Sequence, residues 1–354
     1  MPDAQGALAV TKIQEVAAAL GVSVATVSRA MSGKPGVSDA VRARVRSLAT
    51  ELNYLPSRSA SALATGRTLT IGVVTPYIAR WYFGHLISAI ESSFTAAGYD
   101  LLLYNVSSEN SRTRFFQTLP VRKRVDALVV LLLPDDGEAT ALRTLGIPVA
   151  TVGSQQEGFI SVGIDDVRTA EVAVQHLINL GHRRIAMIGE GFDVVPLQFV
   201  APVDRQIGYY NALRAAGIDV NPELEQNGEF TMQGGEEAMN RLLAARERPT
   251  AVFAQSDEMA IGALRSIRRH GLRVPEDISV IGIDDHEMSG MVGLTTMAQS
   301  LPAMGSSVAQ AILEHIEDPA AEVLPHTELP TRLVVRETTG PVRNSATLPL
   351  QEDS

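Results

Sequence analysis

The chain has 354 residues, 45% hydrophobic and 20% charged, with a net charge of −10 and no cysteine. Roughly 100–200 residues per domain predicts two or three domains, with enough apolar residues to fill real cores and to exclude bulk disorder. The missing cysteines exclude a disulfide framework and a thiolate metal site. Met1 to Val10 lacks the pattern of a secretory leader and no apolar run approaches the roughly 20 residues of a membrane helix, so a soluble cytoplasmic protein is expected.

The first elements are helical. Thr11 is placed to cap a helix, with Gln14 completing a capping box. Ile13, Val16, Ala17 and Leu20 share one face, and Gly21 stops the helix with a sharp turn. Ser23 caps a second helix that turns Val27 and Met31 inward and carries Ser28 and Arg29 on its polar face. Ser38 opens a third, running to about Leu52, that buries Val41, Val45 and Leu48. Helix, tight turn, helix is the arrangement whose second helix presents its N-terminal residues to bases in the major groove, although an ordinary helical hairpin has the same period. Charge favours DNA. Up to Thr68 the chain has eight basic residues (Lys12, Arg29, Lys34, Arg42, Arg44, Arg46, Arg58, Arg67) against four acids, a balance of +4 that leaves −14 for the remainder. A basic module on an acidic body is expected when one end meets phosphates.

Pro56 ends the bundle. Arg58 to Ala64 has the length of a short helix that is marginal alone in water, and Thr65 to Thr68 is a linker. Beyond Leu69 strands and helices alternate. Strands are predicted over 70–74, 100–104, 127–133, 148–152, 184–188, 251–254 and 278–283. Helices are predicted over 83–97, 169–180, 205–216, 238–246 and 259–270, four of them closed by Gly98, Gly181, Gly217 and Gly271. This alternation predicts parallel sheets covered on both faces, in two lobes. Ligands of such sheets bind beyond the carboxyl ends of strands. That selects Tyr77 to Phe83, Asn105, Gly153-Ser154-Gln155, Gln255-Ser256-Asp257 and Asp284-Asp285, and an aromatic-lined cleft with a few polar groups suits one small polar ligand.

Several motifs, in order and spacing, carry a family resemblance: Gly21-Val22-Ser23 with Thr26-Val27-Ser28-Arg29; Ala64-Thr65-Gly66-Arg67-Thr68 with Ile71-Gly72-Val73-Val74; His176-Leu177 with Gly181-His182-Arg183-Arg184-Ile185-Ala186; Arg205 with Gly208-Tyr209; Asp257 to Ala263; Val274-Pro275-Glu276-Asp277-Ile278-Ser279-Val280; Gly282-Ile283-Asp284-Asp285; and Leu294-Thr295-Thr296. From Thr11 to about Glu337 the chain resembles the LacI/GalR family of bacterial transcriptional regulators. The resemblance implies an α/β fold: an N-terminal helix-turn-helix headpiece and a two-lobed periplasmic-binding-protein-like core of two doubly wound parallel sheets. The expected organisation is a headpiece over 1–56, a hinge helix and linker over 57–68, an effector-binding and dimerisation core over 69–340 and a disordered tail over 341–354. Within the core the first lobe takes about 69–166 and 299–325, the second about 167–298 and 326–340.

By the same resemblance Val24, Ala25 and Arg29 read bases while Ser23, Thr26 and Ser28 touch phosphates, with Arg29 suited to guanine. Val24 packing within the headpiece is the bland alternative. Arg58 lies in the hinge helix that folds on DNA, and Leu63 holds the position of a leucine wedged into the minor groove. For an effector, Arg205 and Asp284 are implied as hydroxyl-binding groups and Phe230 as a stacking aromatic; a salt bridge locking two loops is the alternative for Arg205 and Asp284. Ser256 stands where Asn is common, and Asp257 serves either as a ligand group or as a helix cap. Where many members have Ser-Asn-Pro-Phe-Phe this chain reads Ala79-Arg80-Trp81-Tyr82-Phe83, and Tyr77 replaces a common Asp, so the rim formed by Tyr77, Arg80, Tyr82 and Phe83 has its own specificity.

The expected function is a repressor that binds a palindromic double-stranded operator as a homodimer, controlled by a small effector, most simply a sugar, without cofactor, metal, membrane or catalysis. The polar segment after Gly340 lacks the leucine heptad that makes some members tetramers. A nucleobase or a protein co-regulator as effector stays open. A sugar-metabolising enzyme is the rival class, yet the chain has no phosphate loop, nucleophile elbow or paired metal histidines, and His182 reads as a loop hydrogen-bonder. A solute-binding protein would need a leader and not a basic module.

Overall fold

The structure, a computed structural model, describes residues 13–31, 35–52, 54, 66–190, 200–320 and 326–343. The chain divides after Leu69 into two compact units.

In the first unit α1 (Ile13–Leu20), α2 (Val24–Met31) and α3 (Asp39–Glu51) surround a core of Val16, Ala17, Val27, Ala30 and Val45. Gly21 takes φ +67, the left-handed conformation that lets α1 end at Leu20 and α2 begin at Val24. Ser38 caps α3 by accepting the Val41 N–H. Val41 and Leu48 are half-buried, and Ala49 supplies the fully buried contact expected of them. The Thr11 cap lies outside the described residues.

The second unit holds two sheets. The first is built from β1 (Thr70–Thr75), β2 (Asp100–Asn105), β3 (Ala127–Val130), β4 (Val149–Val152), β5 (Ile160–Gly163) and β11 (Thr327–Glu328), in the order β11-β5-β4-β3-β1-β2. The second contains β6 (Ile185–Gly189), β7 (Glu225–Asn227), β8 (Ala251–Ala254), β9 (Ser279–Asp284), β10 (Thr295–Ala298) and β12 (Arg332–Val334), in the order β12-β10-β9-β8-β6-β7. Every pairing is parallel except β10 with β12. The first sheet is covered by α4 (Trp81–Ala96), α5 (Glu109–Thr118), α6 (Asp136–Arg143) and α12 (Leu301–Glu317). The second carries α7 (Asp166–Asn179), α8 (Ala201–Ala215), α9 (Met232–Ala244), α10 (Asp257–Arg269) and the short α11 (Ser289–Val292). The chain crosses between sheets three times, at 163–166, 298–301 and 328–332.

Each sheet has a buried cluster on both faces, as parallel sheets require. Close helix packing uses small residues: a Cβ on Gly262 of α10 would collide with the backbone of Met232 and Glu236 in α9. Polar helices are tied by charge. Arg112 of α5 grips Glu138 of α6 with two bonds of 2.7 and 2.6 Å and donates a third, 2.8 Å, to the Leu133 carbonyl, while almost wholly buried.

Two expected boundaries are corrected. Residues 326–328 join the first sheet, not the second lobe. Thr327 pairs with Val162, and the Leu329 N–H bonds the Gly163 carbonyl at 2.8 Å, so β11 satisfies backbone groups of β5 that would otherwise form a bare edge. Residues 341–343 belong to the fold rather than the tail: the Val342 N–H reaches the Leu180 carbonyl at 3.0 Å, in space that a side chain on Gly181 would fill. The rest of the tail lies outside the described residues.

Candidate functional site

The polar face of α2 is set by its cap. The Ser23 Oγ accepts the Thr26 N–H at 3.1 Å and lies 2.9 Å from the Thr26 hydroxyl, which fixes the first turn. Val27 and Ala30 point into the core, so Val24, Ala25, Ser28 and Arg29 emerge together on the exposed side. Val24 is 41% exposed, which removes the packing role that an apolar side chain would ordinarily have. Thr26 is half-buried. Arg58 and Leu63 lie outside the described residues.

In the second unit a cleft opens beyond the carboxyl ends of both sheets. Its space, open mouth included, is about 870 Å³, of the size small-molecule sites occupy. Its two walls differ. From the first lobe come Tyr82, Phe83 and Leu86 of α4, Leu131, Val152 and Met304, a surface that is apolar apart from Arg80. The second lobe supplies Asp166, Glu190, Arg205, Ser256, Glu258, Asp284 and Phe230, and Gln299 closes the floor where the chain crosses back.

Arg205, 6% exposed, is the centre of the polar wall. Its Nε donates to Asp166 Oδ1 at 2.7 Å and its Nη1 to the Gln255 carbonyl. Gln255 is itself held by Nε2 to the Pro202 carbonyl, 3.0 Å, filling space left by Gly189. Neither bond uses Nη2. Burial works against the guanidinium charge, but Asp166 and Asp284 together raise its pKa.

Asp284, also 6% exposed, ends β9 with φ 127, and Asp285 follows at φ 60. Two successive non-glycine residues at positive φ store strain, which persists only where neighbours over-determine it. Here Gln299 Nε2 donates to Asp284 Oδ1 at 2.6 Å, and Arg336 Nη2 donates to Asp285 Oδ1 at 2.6 Å. Among the described residues Asp284 Oδ2 has no hydrogen-bond partner. Burial raises the Asp284 carboxyl to about 7; Arg205 and Gln299 oppose the rise, while Glu258 and Asp166 add to it. Phe230 is presented in a similar way, from a loop in which Glu229 and Phe230 both have positive φ, 54 and 50.

Of the residues expected in the cleft, Arg80, Tyr82, Phe83, Arg205, Phe230, Ser256 and Asp284 line it, and Tyr77 and Asp257 do not. Tyr77 lies beneath the Arg80 guanidinium, 3.8 Å from its ring centre, and meets Phe83 edge-on, so it supports the rim instead of forming it. Asp257 is fully buried and turned into the second lobe, where it accepts the Ser289 hydroxyl at 2.6 Å, the Thr296 hydroxyl at 2.7 Å and the His286 N–H at 2.9 Å. The helix cap is Ser256, whose Oγ accepts the Met259 N–H at 3.3 Å. Arg205 does form a salt bridge, with Asp166 and not with Asp284.

Asp166, Gln299, Glu190 and Glu258 line the cleft without having been expected there. Asp166 and Gln299 follow β5 and β10, short strands absent from the sequence reading, so the strand-end rule never reached them. Glu190 directly follows β6, and that rule would have found it. At the rim Trp81 of the first lobe stacks between His85, 4.5 Å, and His286 of the second lobe, 4.5 Å. His182 lies elsewhere: its ring nitrogens meet Thr250, Ser279 and the Gly340 carbonyl, each at 3.0 Å, which makes it a structural hydrogen-bonder. Among the described residues no cluster could hold a metal, and no helix is long and apolar enough to cross a membrane.

Comparison with known proteins agrees with both units. Residues 12–57 match the family of bacterial regulatory proteins of the lacI type, and residues 174–339 match the periplasmic binding protein-like domain. The HTH-type transcriptional repressor CytR of Escherichia coli (strain K12) is 35% identical over 310 residues, covering 86% of this chain and 89% of that protein. A lac repressor dimer bound to operator and the anti-inducer ONPF is 30% identical, with a TM-score of 0.83 over 94% of this chain and 99% of that one. A complex of the transcriptional regulator CelR with cellobiose is 32% identical, with a TM-score of 0.68 over 93% and 99%. With an exposed helix-turn-helix face and a polar cleft on a relationship spanning most of its length, the chain belongs to the LacI family of bacterial regulators: it is a DNA-binding transcription regulator and not an enzyme.

Proposed function

We propose that this protein is a repressor that binds a palindromic operator as a homodimer and changes its DNA affinity when a small carbohydrate occupies the cleft. The observation that carries the effector reading is the pairing of two unlike walls. Asp284 Oδ2 and Arg205 Nη2, on residues more than nine-tenths buried, are one acceptor and one donor in the same cavity without hydrogen-bond partners among the described residues. An Arg–carboxylate pair of this kind suits adjacent hydroxyls, and Phe230 and Tyr82 suit the apolar face of a sugar ring. The cellobiose held by CelR and the operator held by the lac repressor support the two halves of this reading.

On the DNA side, Arg29 reads guanine, Val24 and Ala25 offer apolar contact to a thymine methyl, and Ser23, Thr26 and Ser28 meet phosphates. Arg58 and Leu63 extend the interface from the hinge at 57–68. Two-fold symmetry then asks for half-sites about one helical turn apart. A thermal-shift screen of the full-length protein against sugars and nucleosides, followed by operator binding with each hit, tests the effector reading. A sugar that raises Tm and changes operator affinity is expected. A nucleoside with that effect, and no active sugar, would replace the carbohydrate.

A further inference from the structure

At the mouth of the cleft the charges do not balance. Glu190, after β6, and Glu258, in the first turn of α10, both line the cavity, and neither side chain has a hydrogen bond or ion pair among the described residues. They follow neighbouring strands at this end of the cavity, since β6 pairs with β8, Ile188 opposite Ala254, and both carboxylates feel the positive charge of Arg80. Arg80 is not closed onto either carboxylate; its guanidinium lies over the Tyr77 ring. Glu229 adds a further negative charge close enough to Glu190 to be felt there. Elsewhere in the cavity the charges are compensated: Asp166 has Arg205, and Asp284, which also feels Glu258, has Gln299 and the field of Arg205. In that same cavity Asp284 Oδ2 and Arg205 Nη2 have no hydrogen-bond partner among the described residues.

We infer that the effector is a carbohydrate or polyol carrying a primary amine, whose ammonium group is received by Glu190 and Glu258 while its hydroxyls meet Arg205 and Asp284. The inference rests on the carbohydrate reading above and narrows it. An ionised carboxylate only accepts hydrogen bonds, and an ammonium supplies three donors together with the missing positive charge. A hydroxyl supplies a donor and no charge. A phosphate or carboxylate at this end would face like charge in a partly desolvated space and be repelled. Burial raises the carboxyls of Glu190 and Glu258 above the ordinary range, and Arg80 is the group that opposes the rise, which is the behaviour of anions short of a partner. Arg80, held over the Tyr77 ring, is the positive charge that both carboxylates feel within the protein.

The test uses Trp81, the one tryptophan of the chain, which adjoins Arg80 at the rim. Its fluorescence in the full-length protein is titrated with matched triads of glucose, galactose and mannose: the neutral sugar, the 2-amino sugar and the 6-phosphate. At least one amino sugar is expected to bind about tenfold or more tightly than its neutral counterpart, the scale of a charge-assisted hydrogen bond, with its phosphate ester weakest. The double variant E190Q/E258Q, its fold checked by circular dichroism, should bring amino and neutral sugars together. A neutral sugar that binds as tightly as its amine overturns this inference and leaves the carbohydrate reading intact. A preferred phosphate ester does the same. Failure of every member to bind overturns both, and the comparison on the unaltered protein decides even if the double variant does not fold.

Discussion

The two walls of the cleft solve different problems. The first-lobe wall is led by one regular helix, α4, whose Tyr82, Phe83 and Leu86 join Leu131, Val152 and Met304 in extending the hydrophobic core to the cleft. The second-lobe wall is made from strand ends and loops, with positive φ at Glu229, Phe230, Asp284 and Asp285 and a buried ion pair at its centre. Apolar area gives non-directional attraction, so its wall tolerates ordinary geometry. Directional recognition needs donors and acceptors at fixed positions, and their strain and desolvation are offset by bonds from Gln299, Arg336 and Gln255. On the proposed function, the polar wall is the one suited to select a ligand and the apolar wall the one suited to add affinity.

The largest expected effect separates binding from folding. Arg205→Ala removes one partner of a buried pair and should weaken effector binding about 30-fold or more, the range for truncating a buried hydrogen-bonded charge, as read by calorimetry. Arg112→Ala breaks the buried pair with Glu138, remote from the cleft, and should cost about 3–5 kcal/mol of stability with effector affinity unchanged in chemical unfolding and calorimetry. If the two variants had the same pattern, the polar wall would be a stability device only.

The next effect is on pH dependence. An Asp284 carboxyl raised to about 7 is largely protonated below that pH in the empty cleft. Hydroxyl donors favour its ionised form, so effector affinity should rise as pH increases through about 7, and Asp284→Asn should flatten that rise. The same upward shift means that its contribution to stability is present at low pH and is lost as pH rises from the unfolded carboxylate range through about 7. A calorimetric profile for effector binding that falls across this window would reverse the assigned role of Asp284. The smallest effect belongs to the aromatics. Phe230→Ala should cost about 0.5–1.5 kcal/mol beyond area burial, the scale of an aromatic pair, and Tyr82→Phe should cost less, since the Tyr82 hydroxyl has only a long contact, 4.0 Å, to Met304 Sδ. A Phe230→Ala loss matching that of Arg205→Ala would erase the distinction between the walls.

The same contrast explains what the sequence made legible. Helix ends did stand out, because Gly98, Gly181, Gly217 and Gly271 all take positive φ, as the stop signals require. Helix starts were read late. The helix expected at Ala238 begins at Met232, since Gly234 and Gly235 interrupt its apolar period in order to pack closely against Met259 and Gly228. Helices α5 and α6 escaped notice because their faces are polar, yet their capping boxes, Ser108 with Ser111 and Asp135 with Glu138, were written in the chain. In the cleft, Arg205, Asp284 and Phe230 were accessible through motif and resemblance. Asp166 and Gln299 were hidden behind four-residue strands too short to show a period. The fate of Asp257, facing inward to Ser289 and Thr296, depends on the register of α10, which spacing alone does not set.

The central claim is that a base-reading helix answers to an occupied cleft. It is tested most directly by fluorescence anisotropy of the full-length protein on operator DNA selected by the protein itself from a random library, with and without the sugar that binds in the Trp81 titration. The sugar should change operator affinity in the unaltered protein, Arg205→Ala should bind the operator normally but ignore the sugar, and Arg29→Ala should weaken the operator by about 1–3 kcal/mol while binding the sugar normally. Operator affinity that is indifferent to the bound sugar, or unchanged by Arg29→Ala, would contradict the central claim.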